Sequence, residues 1–396
     1  MFNDLSNRVQ AIKPSPTLAV AALAGQLRAQ GRDIVGLGTG EPDFDTPDHI
    51  KQAAIQAIHQ GQTKYTAVDG TTELKQAIID KFARDNGFQY EPAQILVSSG
   101  GKQSFYNLCQ ALLNKGDEVI IPAPYWVSYP DIVLLAEGKP VIIQTSLVDH
   151  FKVNADSLKQ AITAKTRMFV INSPSNPSGV AYSKKELEEI AEVLLDHPDI
   201  LVVTDDMYEH ILWTKEGFSN ILNASGDLYN RCMVLNGVSK AYAMTGWRIG
   251  YAGGPADIIK AMKKIQSQST SNPCSISQAA SVAALNGDQS CIQTMLKAFK
   301  ERHDYVIKTL NTIPHISCIP SDGTFYSFFN VQSFIDSRHD LNNDVDVANL
   351  LLDKVGVAIV PGSAFGSEGY LRLSFATSME NLNKALSRID QVFSGK

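Results

Sequence analysis

Between residues 90 and 255, short apolar and β-branched runs alternate with longer stretches of helical period. The runs are Ile95–Ser98, Glu118–Ile121, Pro140–Gln144, Met168–Asn172, Ile200–Thr204, Met233–Leu235 and Ile249–Ala252. Several are almost wholly apolar, the pattern of strands covered on both faces. Between them, Lys184–Asp196 sets Leu187, Ile190, Leu194 and Leu195 at helical spacing. Ser183 stands as its N-cap, and Glu186, three residues on, completes a capping box. Strands alternating with helices predict an α/β unit with a largely parallel sheet. Ligands of such sheets lie beyond the carboxyl ends of the strands, so candidate chemistry is sought just after each run.

Beyond residue 285 the pattern changes. A long helical stretch, Gln289–Thr312, precedes short strands near His315–Ile319 and Phe325–Asn330. A helix around Val345–Lys354, strands at Val357–Val360 and Leu371–Phe375 and a closing helix from Ser378 follow. This predicts a smaller α+β unit, with the first forty-odd residues packed against it. The expected division is a large domain of residues 48–285 and a small one built from 1–47 and 286–396.

Composition narrows the classes. With 396 residues the chain is long for one domain, and 44% hydrophobic content is ample for a core. Its 35 basic and 41 acidic residues give a net charge of −6, which argues against a nucleic-acid binder. A small anionic ligand stays open, because local field matters more than net charge. No run approaches 18 apolar residues, so no membrane-crossing helix is expected. Met1–Pro16 has no apolar signal-peptide core. Cys109, Cys232, Cys274, Cys291 and Cys318 are odd in number and widely spaced, which predicts buried free thiols in a reducing compartment, the cytoplasm. The eight histidines are scattered without H-E-x-x-H, and no metal site is expected.

Four strand ends carry polar or glycine-rich segments. Ile95–Ser98 runs into Ser99-Gly100-Gly101-Lys102-Gln103, where a helix is expected to begin. Two glycines and free N–H groups at a helix start make a phosphate cradle, or equally a tight turn with no ligand. The spacing is not that of a Walker loop, nor does Gly36-Leu37-Gly38-Thr39-Gly40 match the dinucleotide fingerprint. Ile200–Thr204 ends in Asp205-Asp206-Met207-Tyr208, an acid either facing a ligand or capping a helix. Met168–Asn172 leads into the rigid turn Asn172–Gly179, in which Asn176 is either an oriented hydrogen-bonding group or simply part of the turn. Met233–Leu235 leads into the apolar, glycine-rich segment Asn236–Gly250 with two cations, Lys240 and Arg248. On a surface loop these would be solvated; buried, the lysine becomes a usable amine nucleophile or base.

Taken together, these motifs resemble the pyridoxal-phosphate-dependent aminotransferases of fold type I, class I, and within them the bacterial aspartate and aspartate–prephenate subgroup. The resemblance runs from Lys13-Pro14-Ser15 and Gly40-Glu41-Pro42-Asp43-Phe44 to Leu371-Arg372-Leu373-Ser374. It implies a mostly parallel seven-stranded sheet flanked by helices, a smaller α+β domain, and pyridoxal 5'-phosphate as cofactor. Lys240 would form the Schiff base with the cofactor and shuttle the substrate proton. Asp205 would pair with the pyridinium nitrogen, and Tyr208 and Asn176 with the phenolic oxygen. Trp126 would stack on the ring. Gly100, Gly101, Lys102 and Ser239 would hold the phosphate, with Arg248 as counter-charge. Tyr65 would reach the phosphate of a neighbouring subunit, which implies a homodimer with shared sites. Arg372 would grip the substrate α-carboxylate, with Gly40, Trp126 and Asn176 beside it. Lys102, helped by Ser15 and Thr17, would read a distal carboxylate.

The sequence departs from the family pattern in places. Gly237 stands where a phosphate-binding serine is common, and Asp205-Asp206 where Asp-Glu is common. Ser178 replaces a threonine, and Pro16 lies between Ser15 and Thr17. The expected activity is reversible ping-pong transamination from L-aspartate or L-glutamate to 2-oxoglutarate or oxaloacetate. The alternatives are prephenate or aromatic transamination on the same scaffold, and elimination or cleavage at Cβ or Cγ. A cofactor-binding regulatory module would need a helix-turn-helix domain and a basic patch, which the net charge disfavours.

Overall fold

The computed structural model describes residues 5–395. After a two-residue strand β1 (Val35–Gly36), the strands of the main sheet are β2 (Ile95–Ser98), β3 (Glu118–Ala123), β4 (Lys139–Gln144), β5 (Thr166–Asn172), β6 (Leu201–Asp205), β7 (Cys232–Gly237) and β8 (Gly250–Gly253). Seven strands lie in the order β2-β8-β7-β6-β5-β3-β4, with only β8 antiparallel to its neighbours. The continuous apolar runs follow from burial on both faces. Val202, Phe169, Ile171 and Val234 enter one core, while Val203, Met168, Val170 and Leu235 enter the other. Successive side chains of a strand point to opposite faces, so both positions must be apolar. Each such side chain contributes about 1.5–3 kcal/mol when fully buried.

Strand β3 extends two residues past its predicted end, through Pro122. Pairing with β5 stops at Ile120, while pairing with β4 runs to Ala123. The proline lies where only one neighbour remains, which a residue without an N–H tolerates. The helix Lys184–Leu195 has its capping box as predicted, with Ser183 and Glu186 bonded reciprocally.

The remaining strands are β9 (Ser317–Cys318), β10 (Tyr326–Asn330), β11 (Val357–Ala358), β12 (Val360–Pro361) and β13 (Tyr370–Ser374). An antiparallel four-stranded sheet orders them β12-β13-β10-β9, and β11 pairs in parallel with β1. Helix Pro16–Ala29 joins this part through Ala24, which packs with Ile34, Leu352 and Ala358. The expectation that the whole N-terminal segment packs there needs a correction. Helix Asn7–Gln10 lies instead against helix Ser128–Leu135, and the Lys13 N–H donates to Asp131 at 3.4 Å. That helix has no buried residue, so its own sequence carries no signal of where it docks.

The thiol expectation is also corrected in part. All five cysteines are free, but only Cys109, Cys232 and Cys318 are buried. Cys274 is exposed at the N-cap of Ser275–Asn286, and Cys291 is half-buried in the first turn of Ser290–Leu310. No helix among the described residues is long and apolar enough to cross a membrane.

Candidate active site

One cavity of about 380 Å³ lies at the carboxyl ends of the parallel strands, where the sheet meets the segment 38–41 and strands β10 and β13. Its lining brings together Gly40, Gly101, Lys102, Trp126, Asn176, Asp205, Tyr208, Ser239, Lys240, Arg248, Arg372 and Thr17. Of the sequence-predicted residues, Gly100, Ser15 and Tyr65 are not part of that wall. Ser15 lies just behind it, with its hydroxyl 3.0 Å from that of Thr17. Pro16 occupies the first turn of the following helix, where a missing N–H costs nothing. Tyr65 is 92% exposed, away from this chain's own cavity.

The β2 turn builds an anion-binding geometry. Gly100 has φ +93°, and a Cβ there would sit 2.2 Å from Arg248 Nη2. The left-handed backbone favours glycine here, and a side chain would also displace the Arg248 guanidinium. The helix Gly101–Leu112 starts without any side-chain cap, leaving its first N–H groups toward the cavity. Arg248 is held over this turn by bonds to the Thr245 and Ser99 carbonyls at 3.0 and 3.3 Å. Gly237 is hemmed in: a Cβ would lie 3.0–3.2 Å from the Ile249 carbonyl, Gly250 and Met207. A serine there would have little room, which accounts for that departure in steric terms.

At the end of β6, Asp205 accepts from the Tyr129 hydroxyl at one carboxylate oxygen and from the Met207 N–H at the other. Burial raises the Asp205 pKa, opposed by the Tyr129 and Met207 hydrogen bonds and the charge of Lys240. The Lys240 ammonium donates to the Gly40 carbonyl. Burial foremost, then the charges of Arg372 and Arg248, push its pKa down to about 8. Lys102 is exposed along much of its length, with its ammonium 5.3 Å from the Trp126 ring centre. Partial burial and then Arg248 hold it below the usual lysine range.

Arg372 is 2% exposed. Its guanidinium donates to Asn176 Oδ1 at 2.9 Å and to the Gly38 carbonyl at 2.6 Å, and its Nε has no partner among the described residues. Tyr326 and Phe365 flank it, their ring centres 4.4 and 4.8 Å from Cζ. Tyr208 lies 2.9 Å, hydroxyl to hydroxyl, from Tyr326. A desolvated guanidinium whose hydrogen-bond and ring partners are all neutral is a site for a carboxylate.

Sequence reasoning missed Tyr129, Tyr326, Met207 and Glu41. Tyr129 follows Trp126 by three residues and packs edge-on against it at 5.1 Å, a spacing signal that was legible. Tyr326 carried none: it reaches the site only because β10 pairs with β13, setting Phe328 opposite Arg372.

The chain matches the family model described as aminotransferase class I and II over residues 32–389. It is 63% identical over 395 residues to the aspartate/prephenate aminotransferase of Nitrosomonas europaea, covering 98% of this chain and 100% of that one. Among solved structures, the aspartate aminotransferase of Rhizobium meliloti superposes with a TM-score of 0.95 at 48% identity, covering 99% of both chains. The Thermus thermophilus aspartate aminotransferase, solved with maleate, superposes with a TM-score of 0.93 at 43% identity, over 99% of this chain and all of that one.

Proposed function

This chain belongs to the class I and II aminotransferases, and from that membership we propose that it moves amino groups from L-aspartate or L-glutamate to 2-oxo acids with pyridoxal 5'-phosphate. The observation that carries the proposal is one cavity holding a desolvated lysine, a strand-end aspartate and a buried arginine whose Nε has no partner among the described residues.

The residues fit that cofactor. The glycine turn at Gly100 and Gly101, the uncapped helix start, Ser239 and Arg248 suit a phosphate. When bound, pyridoxal phosphate supplies an aldehyde that takes up the amino group and a ring that accepts electrons from the substrate Cα. Asp205 would keep a proton on the ring nitrogen, since a buried carboxylate is stabilised by a cationic partner. Tyr208 and Asn176 would hydrogen-bond the phenolic oxygen, and Trp126 would cover a ring face. Lys240 would attach the cofactor. With its pKa near 8, a useful fraction of its amine is neutral at neutral pH and able to take the Cα proton at Nζ and return it.

Arg372 would hold the α-carboxylate near Gly40 and Asn176. Lys102, Thr17 and the nearby Ser15 would read the distal carboxylate. The maleate named with the Thermus structure is a dicarboxylate, which favours a two-carboxylate substrate here. Prephenate also carries two carboxylates, and the Nitrosomonas relative is named for both activities, so prephenate transamination is the second reading. The exposed Tyr65 would complete the site of a second copy, and the active form would be a homodimer in which residues 48–285 bind the cofactor.

Purified protein given pyridoxal phosphate is expected to show a visible absorption band that Lys240→Ala lacks. A wild-type protein that stays colourless and binds no cofactor would overturn the reading. Specificity is decided by kcat/KM for aspartate, glutamate, phenylalanine and alanine as donors, and oxaloacetate, 2-oxoglutarate and prephenate as acceptors.

A further inference from the structure

The loop after β6 faces two ways. Asp205 and Tyr208 line the cavity, whereas Asp206 and Glu209 turn away from it into the protein, 0% and 6% exposed. Asp206 accepts from Thr204 Oγ1 at 2.5 Å and from Asn220 Nδ2 at 2.6 Å. Glu209 is the more connected of the two. One carboxylate oxygen accepts from Asn86 Nδ2 at 2.8 Å; the other accepts from Asn236 Nδ2 at 2.7 Å and pairs with the fully buried Lys81 ammonium. Lys81 also donates to Asn86 Oδ1 at 2.8 Å, closing a ring of Glu209, Asn86 and Lys81.

The Asn236 arm gives this ring its reach. Asn236 lies near the end of β7, and its Oδ1 accepts from the Gly237 N–H at 2.7 Å. Four residues after Asn236 the chain reaches Lys240. Glu209 thus links two strand ends: it sits on the loop after β6 that carries Asp205 and Tyr208, and its carboxylate bonds Asn236 near the end of β7, from which the chain turns to Ser239 and Lys240. Burial works to raise the Glu209 pKa, but Lys81, His210 and Asn86 outweigh it and hold it below the usual range, so the carboxylate stays charged. Buried charges so fully satisfied are weak sources of stability and serve better to select one arrangement.

We propose that Glu209, with Lys81 and Asn236, is a positioning brace that sets Asp205 and Tyr208 against Lys240 across the two strand ends. The proposal rests on the aminotransferase site described above. Glu209 touches no substrate, and it acts through the backbone on either side.

Two variants test it. Lys81→Met with Glu209→Gln removes the charge pair together, and Asn236→Ala cuts only the arm to β7. Each is measured for thermal midpoint, for kcat and KM with aspartate, and for the pH midpoint of Lys240 amine labelling in cofactor-free protein, resolved by peptide mass spectrometry. With the brace cut, kcat is expected to fall on the order of 10- to 100-fold with KM less affected, as for a misplacement of about 1 Å. The Lys240 midpoint is expected to rise from about 8 as water enters. Loss of thermal stability with kcat and the Lys240 midpoint both unchanged would overturn the brace and leave a purely structural network. If the double variant does not fold, Asn236→Ala decides alone. A colourless wild-type protein would sink the cofactor reading, whereas the labelling midpoint, read without cofactor, still tests the brace.

Discussion

The Tyr129 hydroxyl donates to Asp205 Oδ2, joining helix Ser128–Leu135 to the end of β6 across 76 positions of sequence. Both partners are deeply set, and the bond offsets part of the cost of burying the Asp205 carboxylate. Tyr129 also meets Trp126 and Phe105 edge-on, so its ring is fixed from two sides.

Tyr129→Phe therefore leaves the packing intact and removes the donor. Without it the Asp205 pKa rises further above its ordinary 3.8. A raised carboxylate pKa costs stability wherever the group is ionised. The deficit, about 1–3 kcal/mol for one unsatisfied buried acceptor, should be full at neutral pH. It should shrink as pH falls through the folded value and vanish below 3.8. Denaturant unfolding of cofactor-free protein at several pH values checks this; a pH-independent deficit would contradict the assignment.

Lys240 makes the opposite use of burial. Its folded pKa of about 8 lies below its ordinary 10.5, so holding the proton costs the folded state stability below pH 8. That cost fades as pH rises from 8 toward 10.5. Lys240→Met should make cofactor-free protein more stable at pH 7, by roughly 1–3 kcal/mol after allowing for the lost Gly40 bond. An equally stable or weaker Met variant at pH 7 would show that the amine is not desolvated.

At Arg372, lysine is not a conservative replacement. A point charge cannot reproduce the two-pronged contact to Asn176 and Gly38 and still offer a fork to a carboxylate. Arg372→Lys is expected to lower kcat/KM for every amino-acid donor by about 100-fold or more, near 3 kcal/mol. Equal losses for aspartate and alanine would place Arg372 on the shared α-carboxylate; a loss confined to aspartate would move it to the distal one.

Lys102→Ala is the complementary test. A charge-assisted hydrogen bond is worth about 1.5–3 kcal/mol, so aspartate should lose roughly 10- to 100-fold in kcat/KM while alanine changes little. Unchanged discrimination between the two donors would remove Lys102 from distal-carboxylate recognition.

The sequence by itself determined the layered α/β architecture, because short, nearly all-apolar runs alternating with stretches of helical period fit strands buried on both faces between covering helices. It also located Asp205, Lys240 and the Gly100–Gly101 turn, because chain connectivity alone puts them at strand ends. Folding decided what is not local. Tyr326 and Arg372 enter the cavity through the register of β10 on β13, and Tyr129 meets Asp205 through the packing of a helix on the sheet. Glu209 was unreadable for the same reason: in the sequence it is one more charged residue after a strand. Only the neighbourhood of Lys81 and Asn86 from one helical stretch and Asn236 from β7 makes it a buried anion with every oxygen engaged. Propensity and periodicity act over a few residues, whereas the surroundings that tune these groups are assembled by contacts tens to hundreds of positions apart.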